Sequence, residues 1–248
     1  MKSLWVCILS FIFWIFSSAF LNSYAASFNI PERLVYDLTW GGIKVGTASL
    51  EITDDGDRLK IISKTRSAKL ISVFYTVDDR IESILFKNSS FSHIGEPVNY
   101  KVMLKEGKYR RNREVIFDHI NNRAKHIDYL KNKNKEYDIP PFIFDPISGF
   151  YYLRTLRLAV GKPLYLTVFD SEKVWNTEVQ VLKKEKVDLP IGTFDTIVVK
   201  PLIKSEGIFY RKGEILIWLT DDMKHLPVKV ETKVPIGHIT AILIQADY

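Results

Sequence analysis

Cysteine is nearly absent from this chain. The single one, Cys7, lies in an apolar run near the start, so everything beyond it lacks a thiol. That excludes disulfide staples, thiol nucleophiles and thiolate metal sites from the body of the protein. Phosphate-cradling loops are absent too, because Gly41, Gly42 and Gly46 do not precede a helix at the required spacing. There is no G-x-S-x-G elbow and no H-E-x-x-H. The five histidines (His93, His119, His126, His225, His238) have no metal-ligand spacing. No cofactor and no metal is expected. No fixed-period repeat, low-complexity tract or domain linker is visible.

Only one apolar run is long, Leu4 to Phe16, and it is shorter than a membrane-spanning helix needs. Lys2 precedes it, and Ser23 and Ala25 stand three and one positions before a signal-peptidase cut. The expectation is a signal peptide over 1–25 and one β-rich domain over 26–248, in the periplasm or otherwise exported. An uncleaved anchor is the alternative. Trp5 is too bulky for a lipoprotein signal, which argues against lipid on Cys7. Without disulfides the domain must rely on its apolar core. Cleavage leaves 223 of the 248 residues, and folding at that size buries roughly 70–75% of the surface.

From Arg33 onward the apolar pattern has period two. In "RLVYDLTW" Leu34, Tyr36, Leu38 and Trp40 point one way, as on a half-buried strand. Asp55-Gly56 between two alternating runs is a hairpin signal. "FYTVDDRIESILF" continues the series, and further short runs follow to Gln245, several separated by turns such as Asn121-Asn122 and Pro235-Ile236-Gly237. The fold class expected is mainly β: an antiparallel meander forming a barrel or a strongly curved sheet. One helix interrupts it, from Pro146 to about Leu156, with Asp145 as N-cap and Pro146 at the first helical position. It would close one end of the sheet. Asn132 to Lys135 is the best loop candidate.

Charge is uneven. The whole chain carries +6, but 101–135 holds 11 Lys or Arg against 4 Asp or Glu, a local net of +7. Within it "KYRRNR" places Lys108, Arg110, Arg111 and Arg113 close together. Such a patch suits anionic lipid headgroups or wall polymers; a solvated strand face is the plainer alternative. Export argues against nucleic acid. Phe74, Tyr75, Phe142, Phe144, Phe150, Tyr151 and Tyr152 gather around the helix and its flanks. They would line an apolar cavity for an acyl chain, or else form ordinary core.

Acid/base candidates are weaker. Asp221-Asp222 with His225 is the first, and its plainer reading is a turn held by carboxylate-to-backbone hydrogen bonds. Asp78-Asp79 beside Arg80 is a second pair, and on a strand its carboxylates face opposite ways. His119 and His126, with Asp118 and Asp128, would meet across a hairpin, although a polar solvated face explains them as well. Asn88-Ser89-Ser90 matches a glycosylation acceptor. No residue is assigned a catalytic role.

The segments "ERLVYDLTWGGIKVGTASLEI", "YTVDDRIES", "DPISGFYYLRTLRLAVGKPL", "LPIGTFDTIVVKP" and "IWLTDDMKHLPVKVETKVPIGHITAIL" resemble, in order, the exported bacterial DUF3108 family. The resemblance implies a mostly β envelope protein and carries no catalytic residues. The expected role is non-enzymatic: binding a lipidic or anionic envelope component, with possible peripheral membrane contact. Two alternatives stand beside it. One is an envelope glycan or lipid hydrolase using Asp221, Asp222 and His225. The other is a structural or assembly factor.

Overall fold

The structure is a computed structural model describing residues 29–88, 93–202, 214–234 and 237–248. The expected signal segment 1–25 lies outside these residues, as do Ser89-Ser90 and the Pro235-Ile236 part of a predicted turn. Among the described residues fourteen strands form one sheet. They are β1 Glu32–Trp40, β2 Ile43–Asp55, β3 Arg58–Ser67, β4 Asp78–Asn88, β5 His93–Glu106, β6 Tyr109–Asp118 and β7 Arg123–Asp128. The rest are β8 Lys133–Asp138, β9 Leu164–Asp170, β10 Lys173–Leu189, β11 Gly192–Pro201, β12 Ile215–Thr220, β13 Pro227–Val234 and β14 Gly237–Asp247. Among the described residues two helices interrupt them, α1 Lys69–Ser72 and α2 Pro146–Arg154.

The sheet order is β8-β7-β6-β5-β4-β3-β2-β1-β14-β13-β12-β11-β10-β9, and every pairing is antiparallel. Two meanders, β1–β8 and β9–β14, are thus joined through the β1/β14 pair, and the edges are β8 and β9. The sheet is strongly curved rather than closed. Side chains bring its edges together: the Tyr137 hydroxyl of β8 donates to Glu172 just past β9 at 2.8 Å, and Tyr137 and Phe117 both pack on Phe169 of β9. Phe144 occupies part of the β9 edge. Its N–H donates to the Thr167 carbonyl at 3.0 Å, and its carbonyl accepts from the Phe169 N–H at 2.8 Å. That stretch of the β9 edge is thereby closed to another strand.

Helix α2 lies inside the curve. Asp145 caps it as expected: one carboxylate oxygen accepts from the N–H groups of Ile147 at 2.9 Å and Ser148 at 3.0 Å. The buried Tyr151 packs among Ile52, Leu59, Ile61, Leu85 and Ile94 of β2–β5. Leu153 packs among Leu166, Val179, Ile197 and Ile217 of β9–β12. One short helix reaches both halves only because the sheet curls around it.

Three sequence expectations need correction. Lys133–Lys135 is strand, not loop, because β8 pairs with β7 from Asp128↔Lys133 onward. The helix stops at Arg154, with Thr155 as C-cap, two residues short of Leu156. Phe74-Tyr75 does not open a strand: 68–77 turns through α1, and β4 starts at Asp78. The hydroxyls of Ser67, Ser72 and Thr76 hold that turn by bonding nearby backbone groups, the local competition with sheet ladders that Ser and Thr offer.

Candidate functional site

Between α2 and the concave face of the sheet lies a cavity of about 370 Å³. Its wall comes from both meanders: Leu50, Ile81 and Val102 on one side, Val179, Ile217 and Val230 on the other, with Phe150 and Leu153 of α2 between them. Strand alternation explains this lining, since residues two apart on β5 (Tyr100, Val102, Leu104) share the inner face. Gly149 also lines the cavity. A Cβ there would meet the Phe144 side chain at 3.4 Å, an ordinary van der Waals contact. The lining includes one guanidinium, Arg111, and one carboxylate, Asp170.

These two charges lie near the Tyr100 side chain. Burial, with Asp170 and Asp145 adding negative charge, pushes the Tyr100 phenol well above its ordinary value, so it stays neutral. The Trp175 indole N–H donates to the Asp170 backbone carbonyl at 3.2 Å, and the Ser171 hydroxyl donates to its carboxylate at 3.2 Å. Arg111 donates from Nε to the Tyr109 hydroxyl at 2.9 Å. The cavity is therefore mostly hydrocarbon-lined with a polar corner.

The expected aromatic cluster divides. Phe150 lines the cavity. Tyr151 is fully buried behind it, and Phe144 is buried and stacked on Tyr152 at 4.6 Å. Phe74, Tyr75 and Phe142 instead face outward, at 89%, 52% and 77% exposure. The basic cluster divides as well. Alternation along β6 turns Arg111 and Arg113 inward with Val115 and Phe117, while Lys108 and Arg110 are exposed. Arg113 pairs with Asp128 at 3.0 Å. The four cations do not share one face.

Asp221, Asp222 and His225 are occupied by the β12–β13 turn. One Asp222 oxygen accepts from the Thr220 hydroxyl at 2.7 Å, the Lys224 N–H at 2.9 Å and the His225 N–H at 3.1 Å. Asp221 pairs with Lys184 at 2.6 Å. His225 adopts φ +43° and donates from Nδ1 to the Arg154 carbonyl at 2.8 Å. Burial holds its imidazole below the usual pKa. None of the three lines the cavity.

The other acidic and histidine candidates also separate. Asp78 pairs with Arg66, whereas Asp79 is buried and accepts from the Lys105 N–H at 2.9 Å. His119 stacks on Phe117 and lies 3.3 Å from Glu96, while His126 is buried 3.4 Å from Glu172. Among the described residues no group of three or more His, Cys, Asp or Glu is arranged to hold a metal. Among them, too, no helix is long and apolar enough to cross a membrane.

The sequence missed Arg111 as a cavity residue and the aliphatic wall itself. Period-two alternation was the available signal, but the inner face became identifiable only once the sheet had curled around α2.

No curated protein matches the chain significantly. Among solved structures it is similar to a β-barrel-like protein of the domain of unknown function DUF1849 from Brucella abortus. That likeness has 14% identity and TM-score 0.54, and it covers 88% of this chain and 97% of the other. It supports the barrel-like fold. A hypothetical protein from Chlamydia trachomatis (8% identity, TM-score 0.40) covers 91% of this chain and 90% of its own. A Bacteroides fragilis protein described as a candidate exported protein with a YmcC-like fold (12% identity, TM-score 0.36) covers 89% and 97%. These last two are too distant to carry an argument. Residues 35–244 match the family described as "Protein of unknown function (DUF3108)", and the chain belongs to that family.

Proposed function

We propose that this is an exported envelope protein that holds a lipid-type ligand, non-enzymatically, inside its curved sheet. The observation that carries the reading is the cavity of about 370 Å³ with its aliphatic and aromatic wall. That size lies within the range of about 300–1,000 Å³ typical of small-molecule sites. Each methylene moved from water into such a wall contributes about 0.8 kcal/mol. Arg111 and Asp170 at the polar corner suit a ligand with an apolar chain and a polar head. Export is supported by the Lys2 and Leu4–Phe16 pattern with Ser23 and Ala25.

The test is to purify the protein from its native envelope and identify bound species by native mass spectrometry and lipid extraction. The expected result is a lipid in stoichiometric amount, displaced by a fluorescent fatty acid. An empty protein that also fails to bind the fatty acid overturns the reading. Protease accessibility in intact and osmotically opened cells checks the compartment.

A further inference from the structure

Four large apolar side chains in the β3–β4 connection face solvent: Leu70 at 83%, Val73 at 78%, Phe74 at 89% and Tyr75 at 52% exposure. Helix α1 buries none of its residues. Single exposed apolar residues are ordinary, but four within six positions form a patch of the kind that marks an interaction site.

The connection is braced on both sides. Its Ala68 N–H donates to the Val45 carbonyl of β2 at 2.8 Å. The Gly107 N–H, in the β5–β6 turn, donates to the Thr76 carbonyl at 2.8 Å, and Val77 bridges to Glu106. The Tyr75 ring lies so close that a Cβ on Gly107 would sit 2.7 Å from it. Gly107, at φ +51°, therefore allows both the turn and the contact.

This bracing fixes the apolar patch beside exposed cations. Lys69 is on α1, and Lys105, Lys108 and Arg110 flank Gly107. The Arg110 guanidinium is set in place by donating to the carbonyls of Gly107 and Tyr109, both at 2.7 Å. The nearby carboxylates are engaged: Asp78 with Arg66, and Asp79 with the Lys105 N–H and the Glu106 side chain. The β1–β2 hairpin adds Trp40 and Ile43, exposed at 44% and 68%, to the same end of the sheet.

The cavity runs toward this end. Its lining includes Leu104 and Arg111, two residues from either side of the β5–β6 turn. The opposite end is closed where α2 meets Glu32 and the β12–β13 turn.

We infer that the Leu70–Tyr75 connection and the neighbouring basic turn form a docking surface for an anionic lipid bilayer. Apolar and aromatic side chains enter the headgroup boundary, and the cations meet its negative charge. Charge complementarity selects the bilayer over an apolar protein groove. The purpose of docking, passage of ligand between bilayer and cavity, rests on the lipid reading above.

Flotation of the purified protein with vesicles of phosphatidylglycerol and phosphatidylcholine, against phosphatidylcholine alone, tests the surface. Anionic vesicles are expected to bind and to release the protein at high salt. Lys69→Gln/Lys108→Gln/Arg110→Gln together should weaken binding about a hundredfold. Val73→Ser/Phe74→Ser should weaken it separately, with both variants keeping the wild-type melting temperature. A fluorescent fatty acid titrated without vesicles reads the cavity alone, and both rim variants should bind it normally. Fatty-acid binding without vesicle binding overturns the docking surface and leaves the cavity reading standing; the reverse pattern sinks the cavity reading alone. Vesicle binding indifferent to both variants, or a dimer that Val73→Ser/Phe74→Ser dissolves, also overturns the proposal.

Discussion

Arg154, at the end of α2, and Glu32, the first residue of β1, form a buried two-pronged ion pair with both N–O distances at 2.7 Å. Their side chains are 0% and 1% exposed. Arg154 also donates to the backbone carbonyls of His225 at 3.1 Å and Lys224 at 3.3 Å. One guanidinium thus ties the plugging helix to β1 and to the β12–β13 turn. Arg154→Met leaves the Glu32 carboxylate unpaired in the interior and should cost about 3–5 kcal/mol in urea unfolding. Glu32→Leu/Arg154→Met should recover part of that loss, because no charge is left stranded. An additive double mutant would contradict this account.

Asp145 makes stability depend on pH. Burial pushes its carboxyl from 3.8 up to about 6, against hydrogen bonds from Ser83, Ser148 and Ile147 that lower it. Between those two values the folded chain keeps the proton and the unfolded chain releases it. This contribution is therefore full below pH 3.8 and lost as pH rises through about 6. Its size is about 3 kcal/mol. Asp145→Asn should remove that slope from a plot of unfolding free energy against pH.

The imidazoles of His225 and His126 act in the other direction. Burial lowers both pKa values, so both rings fold neutral. As pH falls below about 6.5, the unfolded chain takes up protons first and stability declines. His225→Asn tolerates the positive φ and should reduce that decline, as chemical denaturation at pH 5 and pH 7 would show.

Alanine substitutions separate turn from catalysis at the β12–β13 corner. Asp222→Ala removes the acceptor of three hydrogen bonds and should cost about 1–3 kcal/mol. Asp221→Ala breaks only a partly exposed pair with Lys184 and should cost less than about 1 kcal/mol. A hydrolase on these residues would instead lose activity at unchanged melting temperature.

Filling the cavity should abolish ligand binding without loss of stability. Val230→Phe or Ile81→Phe places a ring in the void from a half-buried lining position. Fluorescent fatty-acid titration should show the loss, and differential scanning fluorimetry an unchanged or higher Tm. Full binding in both variants would place the ligand elsewhere.

Local patterns were legible in the sequence. Period-two runs from Leu34 onward predicted an antiparallel β fold, and Asp145-Pro146 marked the start of α2, because alternation and capping depend on neighbours along the chain. Turn chemistry likewise marked Asp221-Asp222 as part of a reversal. Segment 68–77 was less readable, since its apolar residues resemble a strand, whereas backbone bonds from Ser72 to Ala68 and from Tyr75 to Ile71, with the hydroxyl bonds of Ser67, Ser72 and Thr76, turn it into α1.

Long-range contacts decided the rest. Glu32 and Arg154 lie 122 positions apart, and nothing local marks either as half of a buried pair. Phe74 and Phe150 are equally apolar in the sequence, yet one is 89% exposed and the other lines the cavity. Curvature around α2 made that division, because a residue's exposure depends on what the sheet brings opposite it. The sequence alone determined most strands, the start of α2 and several turns, because these depend on neighbours along the chain; the tertiary structure decided which face encloses a cavity and which side chains reach it.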